Sequence, residues 1–83
     1  MTTRTFELVK HILVERFAID PAKIHLATDL QKDLNLDSMD AIDLLLAINE
    51  TFSIRVPEQM LENVHTMTQL IEMVEKHKPK LSK

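Results

Sequence analysis

Asp37-Ser38-Met39-Asp40-Ala41-Ile42-Asp43-Leu44-Leu45-Leu46-Ala47-Ile48-Asn49-Glu50-Thr51-Phe52 is the stretch that decides how this chain folds. It opens on a hydroxyl between two carboxylates and passes at once into apolar residues. Such an opening suits a helix N-terminus, where short oxygen-bearing side chains take up free backbone N–H groups and acids favour the positive end of the dipole. Ser38, at this position, is first of all a helix cap. From Ala41 to Ile48 every residue except Asp43 is apolar, whereas a surface helix needs only one apolar stripe. Leu44, Leu45, Ile48 and Phe52 make one stripe, assigned to the core. Met39, Ile42 and Leu46 make a second, on another face, beginning beside Ser38. The second stripe is either the flank of a wide core or an exposed patch for docking partners, with Asp40, Asp43 and Glu50 as its charged rim.

The flanking sequence supplies what the first stripe packs against. Phe6, Val9, Leu13 and Phe17 recur at helical spacing, with Glu7, Lys10 and Arg16 opposite, and predict a helix from about Thr3 to Phe17. Asp20-Pro21 reads as a cap followed by proline at the first helical position, opening one short turn through Ile24. Residues 25–37 are irregular, and Leu26, Leu30, Leu34 and Leu36 are expected to pin that long loop onto the core. The helix opened at Ser38 runs to about Thr51. After a break at Ser53 to Val56, Pro57 starts a short helical piece through about Glu62. Thr66-Met67-Thr68-Gln69 matches a capping box, and Met67, Leu70, Ile71 and Val74 form the stripe of a last helix. Lys76, His77 and Lys78 suit its negative end, Pro79 stops it, and residues 79–83 are expected to fray.

The chain of 83 residues is read as a single domain, 1–83, without internal repeats. Roughly 60 % of the unfolded surface is removed from water at this size, enough for a modest core. A 45 % hydrophobic content argues against disorder, and the absence of glycine disfavours the tight turns of an all-β fold. The expectation is an all-α, four-helix bundle with a short third helix and a long loop between helices one and two. With no cysteine there are no disulfides, thiolate nucleophiles or cysteine-ligated zinc. No apolar run reaches the ~18 residues of a membrane span, and Met1-Thr2-Thr3-Arg4 is not followed by a signal-peptide core. A soluble, cytoplasmic monomer is expected.

Charge is distributed unevenly. Residues 29–62 hold eight acids and two bases, a local net of −6, while residues 63–83 carry a local net of +2. The acidic centre surrounds Ser38. It repels phosphate backbones, so no nucleic-acid partner is expected, and it attracts a basic patch on a protein partner.

Few other residues offer chemistry. Asp33, Asn35 and Asp37 match the first ligand positions of an EF-hand loop, but Ser38 stands where glycine is needed and Leu44 where the bidentate glutamate is needed. No metal site is assigned, beyond weak divalent-cation binding by the carboxylates. His11, His25, His65 and His77 are scattered without ligand spacing. A serine hydrolase lacks its glycine-bearing elbow and oxyanion hole. Acid–base work by Asp37 and Asp40 is less common than an ordinary acidic helix start. No catalytic residue is assigned. Ser38 suits one further role, carriage: an exposed hydroxyl on a rigid element can hold a flexible arm, and a phosphate ester gains from a helix N-terminus.

At this point the sequence resembles the acyl carrier proteins. The resemblance is carried by Asp33-Leu34-Asn35-Leu36-Asp37-Ser38-Met39-Asp40-Ala41-Ile42-Asp43-Leu44, and extends through Glu50-Thr51-Phe52, Ile54-Arg55-Val56-Pro57 and the closing helix Thr66 to Val74. It implies that Ser38, beside Asp37, receives phosphopantetheine from coenzyme A through a phosphopantetheinyl transferase with magnesium. The arm's thiol then holds acyl groups as thioesters, so the chain itself is not an enzyme. It implies docking of acyl-loading, ketosynthase-type and acyl-transferring enzymes on Asp37, Met39, Asp40, Ile42, Asp43, Leu46 and Glu50. It further implies shelter of a short acyl chain near Leu45, Ile48, Phe52, Ile54 and Leu61. Asn35 replaces the family's usual glycine, Leu36 a small residue, and Asn49 and Thr51 acids. These departures point to a specialised fatty-acid or polyketide-like, or polyene-like, pathway. An aminoacyl or peptidyl carrier is the alternative, against which Asp40 speaks. A helical adaptor with Ser38 as a mere cap is the distant one.

Overall fold

Three amphipathic helices share one apolar centre. In the computed structural model residues 2–78 are described, the side chains of residues 2 and 3 excepted, so the tail expected to fray at 79–83 lies outside the described residues. α1 spans Thr2–Phe17, α2 Ser38–Phe52 and α3 Met67–His77. α1 packs against both of the others. It contributes Val9, Ile12 and Leu13; α2 contributes Leu44, Leu45, Ala47 and Ile48; α3 contributes Met67, Leu70, Ile71, Met73 and Val74. The expected stripes supply most of this core, but Phe6, Phe17 and Phe52 are only half-buried against it, and Ile12, Ala47 and Met73 join it unforeseen.

The fourth helical element, Glu58–Asn63, rests on α2 and is a 3₁₀-helix. Pro57 caps it without a side-chain hydrogen bond, and six residues are too few to nucleate an α-helix unaided. The turn begun by Asp20 and Pro21 is likewise 3₁₀, over Pro21–Lys23. Among the described residues there is no strand, only an isolated antiparallel bridge between Asp29 and Thr66. The architecture is thus the all-α bundle with a short third helix and a long α1–α2 connection.

That connection is held at both ends. Ile24, Leu30, Leu34 and Leu36 are buried, but Leu26 is 54 % exposed, contrary to the expectation that it pins the loop. Leu26 contributes its backbone instead: its carbonyl accepts from both the amide (3.0 Å) and the hydroxyl (2.7 Å) of Thr68 at the start of α3. The Leu30 amide donates to the His65 carbonyl (2.8 Å) and that of Met67 to the Thr28 carbonyl (3.0 Å). The buried Thr28 hydroxyl donates to the Lys23 carbonyl and accepts from the His25 amide. The loop is hydrogen-bonded to α3 as well as packed on the core.

A chain without glycine must still place residues in the left-handed region. Ala18, Asn35 and Ser53 do so, at φ of 54°, 57° and 56°. Asn35, which stands where the resembling family has glycine, is the residue type that tolerates this region best after glycine. Its turn lets the Leu36 amide reach back to the Leu30 carbonyl (3.1 Å) and returns Leu36 to the core just before α2.

Candidate functional site

α2 begins where its sequence says it should, but with a different cap. Asp37, not Ser38, is the N-cap: its carboxylate accepts from the Asp40 amide at 2.9 Å, and the Asp40 carboxylate reaches the Asp37 amide at 3.5 Å. This reciprocal pairing satisfies two of the free first-turn amides. Carboxylate outcompetes hydroxyl here because it is charged and meets the positive end of the dipole. Ser38 is thereby released from capping. It sits at the first helical position, exposed, with its hydroxyl in no hydrogen bond among the described residues. The amides of Ser38 and Met39 keep no capping partner and suit a phosphate ester on the neighbouring oxygen.

The second stripe leaves Ser38 along the outside of α2. Met39 is 77 % and Leu46 58 % exposed, while Ile42 is half-buried. Met39, Leu46 and Leu26 are the exposed large hydrophobics of the described residues. The wide-core reading of this face is therefore excluded, save at Ile42. Of the rim, Asp40 is engaged in the capping box, and Asp43 accepts a hydrogen bond from the Arg16 guanidinium of α1 at 2.8 Å. Glu50 is exposed.

On the other side of Ser38 lies a half-open cavity of about 410 Å³. Ser38 itself lines it. Its floor is Leu36, Leu44, Leu45, Leu61 and Leu70; Gln31, Glu58, Gln59, Glu62 and His65 give its mouth a polar edge. Of the five residues expected around an acyl chain, Leu45 and Leu61 line this cavity, whereas Ile48, Phe52 and Ile54 do not. The direction of a side chain around α2 depends on where the neighbouring elements sit. Sequence spacing alone did not separate the cavity side from the α1 side.

Asn49 also proves different from its reading as a missing acid of the docking face. It is half-buried; its side-chain amide donates to the Val56 carbonyl (3.3 Å) and its oxygen accepts from the Val56 amide (3.0 Å). Its own carbonyl accepts from the amides of Ser53 and Ile54 as α2 ends. Asn49 clamps the turn after α2, and no carboxylate can both donate and accept in this way. Neither Asn49 nor the Arg16 pairing was found from sequence, because both depend on partners brought together by folding.

The site thus combines a free hydroxyl at a helix start, an exposed apolar stripe outside and a half-open, partly apolar cavity beside it, an arrangement that suits a carrier. The comparisons say which. The family model described as the phosphopantetheine attachment site matches residues 7–74. The acyl carrier protein of Trieres chinensis is 36 % identical over 75 residues, covering 90 % of this chain and 94 % of its own. That of Helicobacter hepaticus is 34 % identical over 74 residues, covering 89 % and 97 %. The crystal structure of an acyl carrier protein from Thermotoga maritima matches with a TM-score of 0.81 at 22 % identity, over 92 % of this chain and 88 % of the other. The solution structure of an apo doublet acyl carrier protein from prodigiosin biosynthesis gives 0.77 at 18 % identity, over 99 % of this chain and 40 % of the other. The chain belongs to the acyl carrier protein family: a carrier of phosphopantetheine, not an enzyme. No helix among the described residues is long and apolar enough to cross a membrane.

Proposed function

We propose that Ser38 is the attachment point of the phosphopantetheine arm and that residues 1–83 act as one carrier domain in the cytoplasm. The observation that carries this is the division of labour at the start of α2: Asp37 caps, and Ser38 stays exposed and unengaged. When bound, the arm supplies the thiol on which acyl groups are held as thioesters, chemistry that a chain without cysteine cannot offer. The protein's own part is to orient and to be read. Helix dipole and first-turn amides favour the phosphate at Ser38. The cavity beside it suits a short acyl chain, and Asp37, Met39, Asp40, Ile42, Asp43, Leu46 and Glu50 form the face on which partner enzymes dock. Those partners are a phosphopantetheinyl transferase, then acyl-loading, ketosynthase-type and acyl-transferring enzymes of fatty-acid or polyketide-like biosynthesis.

Intact mass after incubation with coenzyme A, magnesium and a broad-specificity transferase tests the reading. One phosphopantetheine is expected on the wild type and none on Ser38→Ala. An unmodified wild type, or a modified Ser38→Ala, would overturn it. Offering the holo protein to acyl- and aminoacyl-loading enzymes then separates the two kinds of cargo.

A further inference from the structure

The acidic rim of α2 is not uniform. Asp43 is joined to Arg16 of α1 across the helix pair at 2.8 Å, and both side chains are about half exposed (46 % and 50 %). It is the one ion pair between helices α1 and α2 among the described residues. Glu50, by contrast, has no ion pair or hydrogen bond there. Asp40 gives one oxygen to the Asp37 amide, which leaves its charge in place.

We propose that Arg16 is a positioning residue for partner choice: it occupies Asp43 in the free protein and holds that carboxylate back until a cationic partner displaces it. The inference rests on the docking-face reading above and deepens it. A partner approaching α2 meets the charges of Asp40 and Glu50 at once, but must exchange one guanidinium for another at Asp43. The exchange favours partners that present an arginine, whose planar fork matches a carboxylate bidentately, over those that present lysine. An exposed pair of this kind is weak, so the device tunes affinity and does not block it.

The test measures KM and kcat of apo protein for the phosphopantetheinyl transferase at low and high salt. R16Q is expected to lower KM about two- to five-fold at low salt, with kcat unchanged and the gain lost at high salt. R16K is expected to restore the wild-type KM only in part, since an ammonium pairs with Asp43 without the planar fork. K10Q removes the same charge from α1 away from Asp43 and is the control for net charge; its effect is expected to be smaller. In a D43N background, R16Q is expected to act no more strongly than K10Q. Equal effects of R16Q and K10Q, or an R16Q effect undiminished by D43N, would overturn the proposal while leaving Ser38 carriage intact. Absence of any addition to the wild type would overturn carriage and this inference together.

Discussion

At the scale of single residues, the glycine-free chain shows its constraints most plainly at Asn35. Its φ of 57° is uphill for any residue with a Cβ, by about 1–2 kcal/mol outside Gly, Asn and Asp. Asn35→Val is expected to lose about that much stability, and Asn35→Gly to be nearly neutral, in urea unfolding. Glu75 makes a second case. It accepts from the buried Thr5 hydroxyl and from the Lys78 ammonium (3.3 Å), and these bonds hold its carboxyl below the usual value of 4.5. A lowered folded value means the carboxylate stabilises the fold above pH 4.5 and loses that contribution as pH falls through the folded value. Glu75→Gln is therefore expected to be less stable than wild type at pH 7, with the gap closing in acid. Parallel unfolding curves across pH check this. The Ser38 assignment belongs to this scale too, because it turns on which of two adjacent side chains takes the cap.

At the scale of elements, caps and clamps set where helices stop. The capping box at Thr66 and Gln69 was evident from sequence because both partners lie within one turn; the structure has Thr66 accepting from the Gln69 amide at 3.2 Å. The end of α2 was expected at about Thr51 and falls at Phe52, but the clamp that closes it was not evident, because the Asn49 side chain bonds a residue beyond the helix. Asn49→Ala leaves the Val56 amide and carbonyl without their side-chain partners and is expected to cost about 1–3 kcal/mol. Asn49→Asp is expected to recover only part of this, since aspartate cannot donate to the Val56 carbonyl. Chemical denaturation of the two variants orders them. The break that Asn49 maintains also positions Pro57 and the 3₁₀-helix that walls one side of the cavity.

For the whole molecule, α2 faces three environments. One face is in the core, one is the exposed Met39–Leu46 stripe, and the N-terminal flank borders the cavity of about 410 Å³ beside Ser38. If that cavity receives the cargo, each methylene removed from water adds about 0.8 kcal/mol at most to stability. Thermal unfolding of the holo protein loaded with acyl chains of increasing length is expected to rise and then level once the cavity is filled. Ala41→Trp, which projects bulk into the lining, is expected to flatten the series. A flat series in the wild type would remove the cavity from the proposal.

By itself the sequence determined the helices, their order and their core stripes, because periodicity, proline and capping signals act over a few residues. It also pointed to Ser38 as the candidate attachment point and marked Met39, Ile42 and Leu46 as a second stripe on α2, but left open whether that stripe was core or surface; the exposure of Met39 and Leu46 decided it. Only the tertiary structure decided which flank of α2 meets the cavity, that Asp37 caps in place of Ser38, that Asn49 closes a turn, and that Arg16 holds Asp43. Each of these joins groups by direction and distance in space, and a one-dimensional spacing carries neither until the helices have packed.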